Sequence, residues 1–249
     1  MPTGEVEFAK VSYSFAGGHV LLRELSLRLE AGTVTALLGR SGAGKTTLLR
    51  MINGLAKPTS GQVLISGRDV AATDPVELRL GIGYVIQGSG LFPHMTVERN
   101  AGLALELAHR AKKEITAQTA ETLELVGLNF SEYRERYPWQ LSGGQKQRVG
   151  LARALAGQPD VLLMDEPFGA LDPLARLELE AMLKDLLKRL RKTVLLVTHD
   201  LKEALALAER VVFLEQGQIV ADLATADVLR SENVHVKDYV AAVNHGYPA

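Results

Sequence analysis

Gly39-Arg40-Ser41-Gly42-Ala43-Gly44-Lys45-Thr46-Thr47 is the most informative segment of the 249-residue chain. It fits the pattern G-x-x-x-x-G-K-[ST], in which glycines let the backbone wrap closely around phosphate groups. It directly follows the apolar run Val34–Leu38 and opens the helical pattern Thr46–Leu55, which is the context that the pattern requires. A glycine-rich turn before an ordinary helix is the alternative, but a chance match in such a composition is on the order of one in a hundred. The segment predicts a phosphate-binding loop.

The residue types of this loop indicate how it would hold a nucleotide. Backbone N–H groups and the N-terminus of the following helix would face the phosphates, because both carry partial positive charge. Lys45 is expected to reach the β and γ phosphates, and the Thr46 hydroxyl is expected to bind Mg²⁺. The loop therefore predicts a nucleoside triphosphate and Mg²⁺ as ligands.

The apolar runs of the chain predict an α/β fold. They are Val34–Leu38, Val63–Ile65, Ile82–Ile86, Val161–Met164, Val194–Thr198 and Val211–Leu214. Three of these runs lack polar alternation, which is typical of parallel strands that are covered on both faces. Helix-period segments lie between them, as in α/β sheets.

The remaining patterns divide the chain into a core and an insert. The stretch Glu5–Phe15 alternates between apolar and polar residues and predicts a small antiparallel sheet. Between about residues 88 and 158 the strand signals end, and the pattern is helical. We therefore predict one nucleotide-binding domain over residues 1–249, with a core at 1–87 and 159–249 and a helical subdomain at 88–158.

Composition and charge exclude several classes of function. The chain has no cysteine, which excludes disulfides and thiolate chemistry. The formal net charge of −1 gives no electrostatic reason to expect a nucleic-acid partner. The N-terminal residues do not form a secretory signal, and no apolar run is long enough to span a membrane. A role at a membrane would therefore require a partner protein.

Two apolar strands end in groups that suit phosphate chemistry. Val161–Met164 is followed by Asp165, which suits the Mg²⁺ shell, and by Glu166, which suits polarising a water for attack on the γ-phosphate. Val194–Thr198 delivers His199, which could hydrogen-bond the γ-phosphate or that water. Alone, the acids could be a solvated loop start and the histidine a helix cap. The phosphate-binding loop in the same chain favours the functional interpretation.

Leu141-Ser142-Gly143-Gly144-Gln145 predicts a second helix N-terminus able to bind phosphate. Ser142 is suited to cap the helix, and two glycines expose backbone N–H groups. One small domain has no evident use for two such termini on a single γ-phosphate, which indicates a second subunit.

With this segment, the chain resembles the nucleotide-binding domain of ABC transporters, which is an α/β P-loop NTPase core with a small antiparallel β subdomain and a helical subdomain. The Leu141–Gln145 signature lies just before the strand that carries Asp165, as the family requires, and the likeness runs from about Val6 to Leu229. By this resemblance the functional unit is a head-to-tail dimer, or a pair with a second cassette. ATP would bind between the Lys45 loop of one subunit and the signature of the other.

The resemblance also implies roles for single residues. Tyr13 matches the aromatic residue that stacks on adenine, and Gln87 matches the glutamine that touches Mg²⁺ and the attacking water. Ala170-Leu171-Asp172 matches the D-loop, and His199 matches the switch histidine. Glu166, His199 and Gln87 would be catalytic, and Thr46, Gln87 and Asp165 would hold the metal.

Further segments resemble the ATPases of importers for quaternary-amine osmoprotectants such as glycine betaine, choline or carnitine. They are Gly83–Gln87, Gly90–Val97 and Arg136-Tyr137-Pro138. The resemblance implies a peripheral protein on the cytoplasmic face of the plasma (inner) membrane, bound to integral membrane permease subunits and served indirectly by a solute-binding protein. Gln87 and the stretch Phe92–Glu106 would contact the permease. Such ATPases often carry C-terminal CBS domains; this sequence ends at Ala249 without them, so regulation through that module is not expected.

Three alternatives remain at this stage. Importers of amino acids or oxyanions share much of the same segments. An ABC ATPase without transport usually has long coiled-coil insertions or two cassettes in one chain, and this sequence has neither. A small-molecule P-loop kinase would explain Gly39–Thr47 but not Ser142–Gln145.

Overall fold

A computed structural model describes residues 3–169 and 171–245. Its strands are β1 (Val6–Ser14), β2 (Val20–Leu29), β3 (Val34–Leu38), β4 (Ser60–Ile65), β5 (Arg68–Asp69), β6 (Ile82–Val85), β7 (Val161–Asp165), β8 (Thr193–Thr198), β9 (Arg210–Glu215) and β10 (Gln218–Ala224). Its helices are α1 (Lys45–Ile52), α2 (Pro75–Leu80), α3 (Val97–Leu107), α4 (Lys112–Leu125), α5 (Phe130–Tyr133), α6 (Gly143–Ala156), α7 (Pro173–Leu190), α8 (Leu201–Leu207), α9 (Thr225–Val228) and α10 (Val234–His245).

The described residues form two compact units. Unit 1 comprises the described residues up to Leu78 and from Arg191 onward, and unit 2 comprises Arg79–Leu190. Among the residues that the structure describes, no helix has both the length and the apolar surface needed to cross a bilayer.

Unit 1 contains an antiparallel sheet and a largely parallel one. The antiparallel sheet has the order β2-β1-β4-β5, as the alternation in Glu5–Phe15 predicts for its first strand. In the second, β3 pairs in parallel with β8 on one side and β9 on the other, and β10 pairs antiparallel to β9. All residues of β3 and β8 are buried, because helices such as α1 and α8 pack against these strands. The α/β prediction is confirmed.

The register of β3 and β8 brings two predicted site segments to one edge of the sheet. Leu38 pairs with Thr198 at the carboxyl ends of the two strands. The loop beginning at Gly39 and the segment beginning at His199 therefore leave the sheet side by side. Open α/β sheets bind ligands at the carboxyl ends of their strands.

Unit 2 combines a strand pair with a group of helices. β6 and β7 pair in parallel, with Val85 opposite Met164. Helices α3, α4 and α6 pack on one another, and their buried side chains form an apolar core that includes Val97, Leu123 and Val149. The helical character predicted between residues 88 and 158 is present in α3–α6.

Two local features differ from the sequence-based predictions. Helix α1 ends at Ile52 rather than Leu55 because Gly54 has a φ of 68° and the amides of Leu55 and Ala56 both donate to the Arg50 carbonyl. This is a glycine-type helix termination. The strands β2 and β10 were not among the predicted runs, because their polar faces interrupt the apolar sequence.

Candidate functional site

The glycine-rich loop holds its lysine inward. Lys45 is the first residue of α1 and is only 6% exposed. Its Nζ donates to the carbonyl oxygens of Gly39 and Arg40 at 2.6 and 3.0 Å. The ammonium therefore lies within the curve of the loop, where it is available to phosphate oxygens.

The backbone of this loop fits a phosphate group. Gly42 and Gly44 have φ values of 80° and 106°, in the left-handed region that side-chain-bearing residues rarely adopt. Gly44 is the residue before α1, and no side chain caps the first turn of that helix. The N-terminus of a helix carries partial positive charge, so an anion is favoured at this position. The Thr46 hydroxyl follows Lys45 directly, and a hydroxyl oxygen is a ligand that Mg²⁺ binds in such loops.

His199 lies at the end of β8 and is exposed. The residue that caps the next helix is Asp200, whose carboxylate accepts from the Lys202 amide at 2.8 Å. The interpretation of His199 as a helix cap is therefore wrong, since that place is taken by its neighbour. His199 is left at the sheet edge beside the loop that begins at Gly39.

In unit 2, two predicted catalytic residues contact each other. Gln87 follows β6, Glu166 follows β7, and Gln87 Nε2 donates to Glu166 Oε2 at 3.2 Å. Glu166 has a φ of 45°, a conformation that costs a residue with a side chain about 1–3 kcal/mol and is concentrated at functional sites. Asp165 is the last residue of β7 and is 7% exposed. The turn at Glu166 lets the two adjacent carboxylates point in different directions, which suits separate tasks.

The Ser142 segment forms the predicted helix cap. Ser142 Oγ accepts from the Gln145 amide at 3.2 Å, and Gln145 Oε1 accepts from the Ser142 amide at 2.9 Å. This reciprocal capping box satisfies the amides of Ser142 and Gln145. The amides of Gly143 and Gly144 have no partner inside α6. Ser142 and Gly143 are exposed. The N-terminus of α6 is thus ordered, open to solvent and suited to an anion.

Two further predicted residues have defined surroundings. Tyr13 lies on β1 and packs edge-on against Phe15, with 5.4 Å between the ring centroids. Phe15 in turn stacks on His19 at 6.1 Å, so Tyr13 belongs to a small aromatic cluster of which the sequence pattern indicated only Tyr13. The alternation of β1 could have indicated Phe15, which lies two residues beyond Tyr13. Asp172 caps α7, accepting from the amides of Leu174 and Ala175; Ala170 of the same predicted loop lies outside the described residues.

Comparison with known proteins identifies the family. The sequence pattern of the family described as ABC transporter matches residues 22–169, more than half of the chain. The chain belongs to the ABC transporter family. This cassette is 43% identical over 236 residues to the carnitine transport ATP-binding protein OpuCA of Listeria monocytogenes, covering 94% of this chain and 59% of that protein. It is 45% identical over 215 residues to the glycine betaine uptake system ATP-binding protein YehX of Escherichia coli, covering 86% and 69%.

Similarity of the same degree extends to another importer class. The cassette is 46% identical over 229 residues to the sulfate/thiosulfate import ATP-binding protein CysA of Mycobacterium bovis, covering 92% of this chain and 64% of that protein. The cassette spans about three fifths of the length of OpuCA and CysA. Identity alone therefore does not separate the relatives named for quaternary-amine solutes from those named for inorganic anions.

The fold is that of solved ABC cassettes. The dimeric structure of MJ0796, a bacterial ABC transporter cassette, superposes with a TM-score of 0.78 at 33% identity, covering 88% of this chain and 98% of that one. A second dimeric structure of MJ0796 is described as a post-hydrolysis state bound to ADP and Pi. The predicted fold class, an α/β ATPase core with an antiparallel sheet and a helical part, is confirmed.

Gly44→Ala is expected to weaken nucleotide binding by at least tenfold and to destabilise the cassette by about 1–3 kcal/mol. An alanine at residue 44 would have to adopt a φ of 106°, and its methyl carbon would lie 2.7 Å from Leu22 Cδ2. Either the loop or the Leu22 side chain must then shift, and the strained φ disfavours the phosphate-binding form of the loop. Titration with a fluorescent ATP analogue and urea unfolding measure the two effects. Gly17→Ala is the matched control, because no atom lies within 4 Å of its added carbon. Unchanged affinity in the Gly44 variant would contradict this interpretation of the loop.

Proposed function

We propose that the chain is the ATP-hydrolysing subunit of an ABC importer that energises solute uptake through a separate membrane permease. The observation that carries the proposal is the pair of anion-suited helix N-termini, one at the Lys45 loop and one at the capped, exposed Ser142 segment. A kinase for a small molecule has no use for the second. The dimeric solved cassette at 33% identity supports pairing of two chains.

In the proposed reaction, two chains associate head to tail and enclose ATP. The Gly39–Thr47 loop of one chain holds the phosphates, with Lys45 at the β and γ groups, while Leu141–Gln145 of the other chain offers the amides of α6 to the γ-phosphate. Tyr13 stacks on the adenine. Both helix N-termini carry partial positive charge and attract the negatively charged γ-phosphate. ATP therefore holds the two chains together, and its hydrolysis releases them.

The catalytic residues act on the attacking water. Glu166 accepts the proton of that water, and its contact with Gln87 orients the carboxylate. His199 hydrogen-bonds the γ-phosphate or the water, and Asp172 belongs to the D-loop near the partner chain. The residues that would hold Mg²⁺ are Thr46, Gln87 and Asp165. When bound, the ion neutralises charge on the phosphate oxygens.

We propose quaternary-amine osmoprotectants such as glycine betaine, choline or carnitine as the solutes. OpuCA and YehX carry carnitine and glycine betaine in their names, and the Gly90–Val97 segment resembles that group. An oxyanion importer is the second candidate, because CysA is equally similar. In either case the cassette would be peripheral on the cytoplasmic face of the plasma (inner) membrane, with a solute-binding protein as an indirect partner and no nucleic acid bound.

The permease contact is proposed for the segment around Phe92. Phe92 is 41% exposed although the loop that carries it is held rigidly: buried Asn100 accepts from the Phe92 amide and donates to the carbonyls of Phe92, Met95 and Thr96. An apolar side chain fixed at the surface in this way suits a docking surface for an apolar helix.

Capture from native membranes tests the function and the contact together. The tagged chain is expected to retain a permease, and ATP turnover of that complex, reconstituted with its solute-binding protein, is expected to rise with glycine betaine, choline or carnitine. Phe92→Asp should reduce permease recovery at least tenfold, whereas Leu107→Asp, at the more exposed last residue of α3, should leave it within twofold. Stimulation by sulfate would support the ATPase function but would assign an oxyanion rather than a quaternary amine as the solute. Recovery of only soluble partners would contradict the transport function.

A further inference from the structure

The loop that follows Gln87 has an unusual backbone. Gly88, Ser89 and Gly90 have φ values of 75°, 64° and 52°, so three successive residues occupy the left-handed region. Ser89 carries a side chain in this region and is only 6% exposed. Such conformations persist only where surrounding contacts enforce them.

The contacts that enforce this loop come from α6. Arg153 donates from Nη1 to the Gly90 carbonyl at 2.8 Å and from Nη2 to the Ser89 carbonyl at 3.0 Å. One turn earlier, Gly150 allows the loop to lie close, since a carbon added there would be 3.2 Å from the Ser89 carbonyl oxygen. Burial lowers the pKa of the Arg153 guanidinium below its ordinary value. The two carbonyls supply acceptors for N–H groups of this partly buried cation.

The same helix carries the Ser142 segment at its other end. The 14 residues of α6 span about 20 Å, from the capping box at Ser142 and Gln145 to the turn of Arg153. The N-terminal end is fixed as well, because Gln145 Nε2 donates to the Tyr133 hydroxyl at 3.1 Å. Because α6 is continuous, a displacement of the Ser142 segment at one end would also move the residues attached to its other end.

We propose that Arg153 is a positioning residue that ties the Gln87 loop to α6, so that the Gln87 loop and the Ser142 segment move as one body. The role rests on the proposed function, in which Gln87 contacts the attacking water and Ser142 faces the ATP of the partner chain. The planar guanidinium grips two carbonyls at once, which a lysine ammonium does with less geometric constraint. In this role Arg153 would contact neither ATP nor the attacking water.

Hydrogen exchange on the full chain tests the tie. Without nucleotide, Arg153→Met is expected to speed amide exchange in residues 87–91 at least tenfold, because its apolar stem keeps the packing but loses both donors. Arg153→Lys should restore part of the protection. Arg148→Met is the matched control. Arg148 lies on the same helix and donates to the Val126 carbonyl at 3.0 Å. Its substitution removes an arginine–carbonyl hydrogen bond outside the Gln87 loop. Equal exchange in the Arg153→Met chain and the wild type would overturn the tie.

The same measurement with ATP and Mg²⁺ in the Glu166→Gln background tests transmission. ATP is expected to protect the amides of residues 142–146 and, through Arg153, those of residues 87–91. In the double variant with Arg153→Met, protection of 142–146 should persist while that of 87–91 falls at least fivefold. Protection of both segments in the double variant would overturn the positioning role of Arg153 and leave the proposed function standing. Protection of neither segment in the Glu166→Gln chain would contradict the proposed function.

Discussion

Glu166→Gln is expected to reduce ATP turnover by about 10²–10⁴-fold, the range that general-base catalysis contributes, while the Kd for ATP changes less than threefold. An amide cannot take the proton of the attacking water. Its oxygen can still accept from Gln87 Nε2, which lies 3.2 Å from the carboxylate, so the site keeps its geometry. Because ATP then binds without being hydrolysed, the variant should accumulate as an ATP-bound dimer. Steady-state kinetics and size-exclusion chromatography with and without ATP measure the two effects.

An exposed acid on another element provides the control for this result. Glu178 lies on α7 with its side chain 62% exposed and 3.9 Å from Arg148 Nη2, so Glu178→Gln removes the same charge from a group that has no role in the proposed reaction. Its turnover should remain within twofold of the wild type. Normal turnover in the Glu166 variant would show that another group is the base, and the strained backbone at Glu166 would then need a different explanation.

Ser142→Arg is expected to abolish turnover without weakening ATP binding to the isolated chain. Ser142 is exposed at the N-terminus of α6, where a long cationic side chain would occupy the space proposed for the partner's γ-phosphate. ATP binding to one chain depends on its own Gly39–Thr47 loop, which the substitution leaves intact. Turnover, ATP affinity by calorimetry and the ATP-dependent dimer fraction together measure the effect.

The Ser142 side chain also caps its helix, so the two roles must be separated. Ser142→Ala removes the same capping hydrogen bond, at a cost of about 0.5–2 kcal/mol of stability, but adds no bulk. If loss of the cap were the whole cause, the alanine and arginine variants would be equally inactive. We expect the alanine variant to retain most of its dimerisation. Full activity in the arginine variant would remove the composite site.

The sequence predicted the strands of the fold more closely than the ends of its helices. Strands β3 and β8 are buried on both faces, and such strands appear as uninterrupted apolar runs whatever surrounds them. The end of α1 depends on Gly54 turning the chain so that two amides return to Arg50, which the apolar periodicity does not record. Strand β2 was missed because its alternating polar residues leave no continuous apolar run, although the same alternation in Glu5–Phe15 predicted β1.

In the candidate site, contacts between residues close in sequence were predictable, and contacts between distant residues were not. The Ser142 cap was predictable, because the serine and Gln145 lie three residues apart and form a local capping box. The contact between Arg153 and Gly90 was not, since the two residues are 63 positions apart and their approach depends on the left-handed turn of the loop. Asp200 rather than His199 caps α8, as the N-cap preference of aspartate favours.

The order of ATP turnover in chain concentration tests the central claim most directly. At saturating ATP and Mg²⁺, with the chain diluted well below its dimer dissociation constant, a site completed by a second chain predicts a rate that rises with the square of the concentration. The rate per chain should then level off once dimers predominate. A rate per chain that stays constant from the most dilute to the most concentrated sample would mean that one chain hydrolyses ATP alone, and would contradict the composite site.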